Sequence, residues 1–528
     1  MIQETVSSET CFGKSSLLRR FFLAGLFITF ICLAFHHGVL GGVPHGWDAV
    51  AYYFQARIFA EGEITAPGTP FIDFFWLTNV INGYESRYAK YPPGWPLLLA
   101  PFMKLGIPEL ANALLAGLCA MMTALVAGNL FGRATSWISL FLMVLSPFYM
   151  FMGADYLSHT SCCAALMFVL LALIFAFEKP LSWKRSWKWG LAIGAGAGIA
   201  FLIRPYSAFL GIAGCFCIVF LIKRRRWKEG MRLAFGFLIA CVIAFVIYLG
   251  YNKATTGSFL VTAYQRYNPD FSFLGEGGFH RASVFENVRA NLPKIARGLA
   301  GHVWGGFLPD VWLLAVALLL GIRERETRAL VIALLIFCAG HSLYYYFDFY
   351  YGPRLVFEAL PWFVIVSARG IFLAFRFAAS QKGVWKNALY TILFLLLFLN
   401  LVKITGKTYP NLIRYYSTNY CGQGKELMNE VRRRDLENAV VFLRTPDAFA
   451  FANLSHLNPI DLEEAPVLFA RYVSHPPERL PAMISAFPRR EYWILDVSYM
   501  PMEGVNDYAD RFAIASMKWS ELRQGSAR

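Results

Sequence analysis

Residues 156–177 read YLSHTSCCAALMFVLLALIFAF and contain no Asp, Glu, Lys or Arg. A run of that length and greasiness suits a crossing of the bilayer core, which takes roughly 20 apolar residues. Working outward, comparable runs fall at 17–39, 109–131, 134–153, 231–250, 327–346 and 355–374. Shorter ones at 189–203, 206–222, 307–321 and 387–402 cross where the bilayer thins or flanking residues help. The pattern predicts about eleven spans. Composition agrees: of 528 residues, 57% are hydrophobic and only 16% charged, against roughly 25% charged in globular chains. Soluble, disordered, collagenous and disulfide-scaffold classes are excluded. The chain reads as an all-α polytopic membrane protein.

The net charge of +15 would suggest nucleic acid in a soluble protein, but here the basic residues bunch in short linkers between apolar runs. The linker 178–188 carries Lys179, Lys184, Arg185 and Lys188, and 223–232 carries Lys223, Arg224, Arg225, Arg226, Lys228 and Arg232. Arg323, Arg325 and Arg328 mark a third cluster; Arg376, Lys382 and Lys386 mark a fourth. The positive-inside rule puts all four in the cytoplasm, so no nucleic-acid partner is implied. The first run, preceded by Lys14, Arg19 and Arg20 and followed by no small-residue cleavage site, reads as a retained anchor with a cytoplasmic N-terminus. The ten cysteines, without C-x-x-C spacing, read as small buried hydrophobes.

On this topology Trp95–Ile107 is too short to span and becomes a re-entrant piece of a long outer loop, 40–108. A second outer loop covers 251–306, so residues 1–402 form the transmembrane domain. The tail 403–528 lies outside and has another character. Helical stretches near 423–434 and 478–487 alternate with strands at 439–443 and 492–496, predicting a small extracytoplasmic α/β domain. With no Walker loop and no G-x-G-x-x-G element, a nucleotide is not expected as direct substrate.

Ionisable residues avoid the middles of the spans and gather at their outward ends: Asp48, Arg57, Glu85, Arg87 and Lys90, then Asp155, His159 and Arg204, then Asp310, His341, Asp348, Arg354 and Glu358. Charge beside lipid is costly and marks function, so this rim points to chemistry at the outer boundary. Asp48, in His45-Gly-Trp-Asp48, reads either as a helix cap or as a general base and metal ligand. Lys90, ahead of the rigid Tyr91-Pro-Pro-Gly-Trp-Pro96 elbow, either snorkels to headgroups or contacts a phosphate. Arg204 and Arg354 read as anchor residues or as phosphate ligands. Asp155 and His159, one turn apart, read as a divalent-ion pair or as a helix cap beside an interfacial histidine.

The first-loop Asp ahead of a Tyr-bearing helix, with the Tyr91-Pro-Pro-Gly-Trp-Pro-Leu-Leu elbow, resembles the polytopic glycosyltransferases of the C superfamily (GT-C). Within it the chain is most similar to the bacterial dolichyl-phosphate-mannose-mannosyltransferase-like branch, which includes lipid A aminoarabinose transferases and protein O-mannosyltransferases. Leu202-Ile-Arg204-Pro-Tyr206, Tyr350-Tyr-Gly-Pro-Arg354, Leu468-Phe-Ala-Arg471 and Phe487-Pro-Arg-Arg-Glu-Tyr492 extend the resemblance. It implies an enzyme of the bacterial inner membrane, bathed in membrane lipids, that moves a sugar from a polyprenyl-phosphate donor to a lipid, glycan or protein acceptor outside. It further implies Asp48 as catalytic base, Asp155 as a second acid, and Lys90, Arg204 and Arg354 as ligands of the donor phosphate. Glu85, His159 and Tyr351 are the further candidates for substrate or metal contact. Asp48 is followed by Ala49 where many relatives carry an Asp-Glu pair. A second carboxylate for a divalent metal ion would therefore have to come from Glu85 or Asp73. The alternative, a transporter or flippase for a lipid-linked saccharide, calls for midplane charges and repeated halves, and the sequence has neither.

Overall fold

Backbone inside hydrocarbon must satisfy its own hydrogen bonds, so apolar runs become helices. The computed structural model describes residues 14–178, 183–223, 231–270, 281–417, 425–445, 451, 454–501 and 512–522. Lys179 and most of the basic linker 223–232 lie outside those residues. In chain order come α1 (Lys14–Gly38), α2 (Trp47–Ala60), the short strands β1 (Ala66–Pro67), β2 (Val80–Asn82) and β3 (Ser86–Ala89), and α3 (Gly94–Lys104). Next are α4 (Glu109–Phe131), α5 (Arg133–Leu145), α6 (Pro147–Ala154), α7 (His159–Ala176), α8 (Trp183–Ile203), α9 (Pro205–Lys223) and α10 (Ala234–Thr256). The remaining helices of the body are α11 (Ala263–Tyr267), α12 (Arg281–Gly301), α13 (Trp312–Gly321), α14 (Arg325–Ser342), α15 (Leu360–Ser380) and α16 (Gly383–Lys403), continued by α17 (Tyr409–Ser417).

Among the described residues eight helices are long and apolar enough to cross a membrane, and a bent pair makes a ninth. Every run of the expected eleven is helical. The two that fall short are α13, only ten residues long, and α14, whose first turn carries Arg325, Glu326 and Arg328. The bent pair is α5 and α6, which meet at 66°. Pro147 supplies no N–H there, and Ser146 caps α6 by accepting from Tyr149 N at 3.2 Å while donating to Val303 O at 2.7 Å. Pro205 in the same way separates α8 from α9, with Arg204 in the break.

The elbow is a buried helix start rather than a span. Gly94 packs so closely on the break between α8 and α9 that a Cβ would stand 2.5 Å from the Leu202 carbonyl carbon. Trp95, fully buried, donates its indole N–H to Tyr156 O at 2.6 Å. α3 then runs for 11 residues, the length expected of a re-entrant piece. The helices at the centre of the bundle are α7 and α15, whereas α16 lies at its edge.

The tail forms the expected α/β unit. Strands β4 (Ala439–Arg444), β5 (Val467–Arg471), β6 (Glu491–Pro501) and β7 (Phe512–Glu521) make one sheet in the order β5-β4-β6-β7, flanked by α18 (Lys425–Arg433) and α19 (Arg479–Ala486). β4 is parallel to both β5 and β6, and β7 closes the edge antiparallel. Two of these strands, β5 and β7, go beyond the two expected. The unit is not independent of the first loop: Phe74 and Phe75 sit in its core beside Phe442 and Met483. Arg479 Nε donates to Asp73 Oδ2 at 2.8 Å. The boundary expected at 402/403 falls inside a continuous helix, because a π turn at Ile404–Thr408 carries α16 into α17.

Candidate active site

Gly46 opens α2 with φ +92°, and Asp48 follows in its first turn. The Asp48 side chain does not cap that helix. Its Oδ1 accepts from the Tyr91 hydroxyl and from Asn79 Nδ2, both at 2.6 Å. Its Oδ2 accepts from Arg354 Nη1, also at 2.6 Å. Burial alone would raise this carboxyl's pKa, but Arg354, the Tyr91 hydroxyl and Lys90 outweigh it and hold the group below its ordinary value. Asp48 is therefore an ionised carboxylate held by three donors.

Arg354 is shared. Besides Asp48 it grips Asp348 through Nε (2.7 Å) and Nη2 (2.6 Å), the two-point geometry that a guanidinium suits. Arg204, in the break between α8 and α9, pairs through Nε with Glu358 Oε1 at 2.9 Å and donates from Nη1 to Ser158 Oγ at 3.3 Å. Lys90 emerges at the end of β3, and its backbone N–H is fixed on Asn79 O at 3.0 Å. Its ammonium lies 4.7 Å from the Tyr267 ring centre, 5.4 Å from Tyr91 and 5.6 Å from Tyr264. Among the described residues no carboxylate pairs with it. Burial lowers its pKa, opposed by the nearby Asp48.

These groups meet in one cavity of about 360 Å³. Asp48, Lys90, Arg204, Arg354 and His159 all line it, together with Asp348, Asn79 and a wall of tyrosines, Tyr52, Tyr91, Tyr264 and Tyr344–Tyr346. Asp155 sits directly behind, fully buried. It accepts from His45 N (3.1 Å), Tyr156 N (2.7 Å) and the Tyr351 hydroxyl (3.2 Å), so it braces the loop that delivers Asp48. Burial lifts its pKa to about 7, partly offset by those backbone donors. Tyr351, at φ +61°, belongs to the same support and not to the lining.

The other candidates lie elsewhere. Glu85 is exposed on the turn before β3, outside the cavity, and Asp73 is committed to Arg479. Asp155 and His159 do not converge, since His159 Nδ1 is 3.2 Å from Glu358 Oε1. Among the described residues no three His, Cys, Asp or Glu side chains gather as a metal-ligand set. Asp48 and Asp348 are both bonded to the Arg354 guanidinium, which neutralises charge that a metal site would need. Among the described residues, the side chains around the cavity do not fit a metal.

Several rim charges prove architectural. Asp310 accepts the N–H groups of Val303 (2.9 Å) and Trp304 (2.8 Å), and Arg57 donates to His456 O (2.7 Å) and Asn458 O (2.6 Å) of the tail unit. The partners with no role assigned from sequence are Asn79, Asp348 and Glu358. Asp348 lies only six residues before Arg354, in the same tyrosine-rich run, which was a usable signal; Asn79 carried none.

Residues 90–249, which hold Lys90, Asp155 and Arg204, match the family described as dolichyl-phosphate-mannose-protein mannosyltransferase. Among solved structures the chain is similar to ArnT from Cupriavidus metallidurans bound to undecaprenyl phosphate, with TM-score 0.52 and 14% identity over 95% of this chain and 98% of that one. The archaeal oligosaccharyltransferase AglB from Archaeoglobus fulgidus aligns more loosely, with TM-score 0.47 and 11% identity over 92% of this chain and 70% of that one. No curated protein matches the sequence. The family match thus lies within the transmembrane body, over less than half of the chain, and nearly the whole chain shares its multi-helix fold with ArnT.

Proposed function

We propose that the protein transfers a sugar from a polyprenyl-phosphate carrier to an acceptor hydroxyl or amine at the extracytoplasmic end of the bundle, with Asp48 as general base. The observation that carries this reading is one cavity lined by both the triply held Asp48 carboxylate and Lys90, an ammonium with no carboxylate partner among the described residues. An anionic leaving group and a proton acceptor are needed in the same space, and these two side chains supply the matching charges. The undecaprenyl phosphate bound by ArnT supports the donor class.

In the reaction the acceptor oxygen or nitrogen forms a bond to the anomeric carbon. The bond from that carbon to the phosphate oxygen breaks, and the phosphate departs with the electron pair. The acceptor proton passes to Asp48. A carboxylate of lowered pKa is adequate here, because the acceptor becomes strongly acidic once it is bonded to an oxocarbenium-like centre. Lys90, desolvated against three tyrosine rings, meets the charge that develops on the phosphate. Arg354, which bonds Asp348 and Asp48 through three of its five N–H groups, orients the base. Arg204 adds the second cation. A single displacement of this kind inverts the anomeric configuration.

Helix direction supports the sidedness. α8, α14 and α16 begin beside basic residues (Arg185 and Lys188, Arg325 and Arg328, Lys382 and Lys386), and α9 ends at Lys223. The opposite ends of α8 and α9 meet at Arg204 in the cavity. With the basic ends in the cytoplasm, as the positive-inside rule expects, the cavity and the tail unit would face outward. Purified protein given a panel of polyprenyl-phosphate sugars should consume one or more of them, and the Asp48→Asn variant should consume them far more slowly. Equal turnover by both would overturn the role of Asp48, and no consumption of any donor by the wild type would overturn the donor class.

A further inference from the structure

Glu358 is wholly buried beneath the cavity floor, where the 3-10 turn Arg354–Ala359 enters α15. One of its oxygens, Oε1, holds two lining residues at once: Arg204 Nε at 2.9 Å and His159 Nδ1 at 3.2 Å. The other, Oε2, is buried and makes no close hydrogen bond, although the Ser207 hydroxyl also lies against this carboxyl. A half-satisfied carboxylate in an apolar bundle is costly, and architecture alone would be served as well or better by apolar side chains in place of the pair. The transfer step gives it no proton to move.

Its charge does have a consequence. The cavity has three permanent cations, Lys90, Arg204 and Arg354, set against Asp48, Asp348 and, below the floor, Glu358. Without Glu358 the site would carry one excess positive charge. With it Arg204 has its own counter-charge before substrate enters. A polyprenyl-phosphate sugar is a phosphodiester with one negative charge, whereas the polyprenyl phosphate left after transfer is a monoester of roughly −1.5 to −2 at neutral pH. An uncompensated Arg204 would therefore hold the product harder than the donor, and release would slow turnover.

We infer that Glu358 is a positioning and counter-charge residue: acting through Arg204, it trims the pull of the cavity on phosphate so that the spent carrier can leave. This inference rests on the polyprenyl-phosphate reading of the site. It predicts an unusual sign, in that removal of a residue next to the site tightens binding.

The test measures binding of undecaprenyl phosphate to full-length protein in detergent for four forms: wild type, Glu358→Gln, Arg204→Gln and the double variant. Glutamine keeps the shape of Glu358 and an oxygen for Arg204 but removes the charge. Glu358→Gln should bind undecaprenyl phosphate about tenfold more tightly than wild type. Arg204→Gln, which leaves a buried carboxylate uncompensated, should bind more weakly, and the double variant should return close to wild type. Unchanged or weaker binding by Glu358→Gln overturns the counter-charge role. If that single variant does not fold, the double variant leaves no lone buried charge and decides the matter alone: affinity no better than that of Arg204→Gln overturns the role. Failure of every form, wild type included, to bind undecaprenyl phosphate overturns the donor reading and this inference with it.

Discussion

Arg354 Nη1 stands 2.6 Å from Asp48 Oδ2 although 306 positions separate the two residues in the chain. This one contact ties the loop after α1 to the entry of α15. Asp348, by holding the other two nitrogens of Arg354, fixes the direction from which the guanidinium approaches. The proposed base is thus oriented by segments far apart in the sequence.

Asp48→Asn keeps the size of the side chain and can still accept from Tyr91, so membrane insertion should stay intact although the ion pair with Arg354 is lost. Loss of the proton acceptor should lower kcat by about 10²–10⁴-fold. Donor consumption by equal amounts of folded wild type and variant checks this.

Arg354→Gln should move the acid limb of the pH–rate profile. Arg354 is the chief influence holding the Asp48 carboxyl below its ordinary value, and activity requires that carboxyl ionised. Without the guanidinium its pKa rises, so activity should fail at a higher pH on acidification than in wild type. A profile whose acid limb stays in place, whatever the change in kcat, would argue against the coupling.

Lys90→Gln should weaken undecaprenyl phosphate binding by about tenfold or more, since a neutral amide cannot replace an ammonium facing a phosphate in a partly desolvated site. Titration of the variant at two ionic strengths checks it. Salt should weaken wild-type binding more steeply than that of the variant.

Asp155 should leave a mark on stability. Burial raises its folded pKa to about 7 from an ordinary 3.8, so the folded state binds more protons than the unfolded chain between those values. Stability contributed by this site therefore falls as pH rises through that window and is lowest above it. Asp155→Asn preserves acceptors for His45 N and Tyr156 N and removes the titration. Its melting temperature should decline less than that of wild type between pH 5 and pH 8, as measured by thermal unfolding in detergent.

Gly94→Ala forces a methyl to within 2.5 Å of the Leu202 carbonyl carbon. The elbow must back away from the α8–α9 break, at a cost of about 1–3 kcal/mol, carrying Lys90 away from Arg204. Lower melting temperature together with weaker undecaprenyl phosphate binding is the expected pair of results.

Composition and periodicity were enough to place the helices, because hydrocarbon leaves a polypeptide little choice: every apolar run of sufficient length must close its own hydrogen bonds. The Tyr91–Pro96 elbow, the Arg204–Pro205 break and the α/β character of the tail were legible for similarly local reasons, since proline geometry and strand alternation act over a few residues. Asp48, Lys90, Arg204 and Arg354 could be picked out because charge at the rim of a bilayer is costly. Their division of roles could not. Nothing within a few residues of Arg354 says that it will bond both Asp48 and Asp348. Nothing near Asp155 says that it will brace His45 instead of lining the cavity. Glu85 looked as suitable as any acid until the turn before β3 pointed it outward. Those outcomes depend on contacts between segments far apart in the chain, where burial and the nearest opposite charge determine what each group does, and only the packed helices bring those neighbours together.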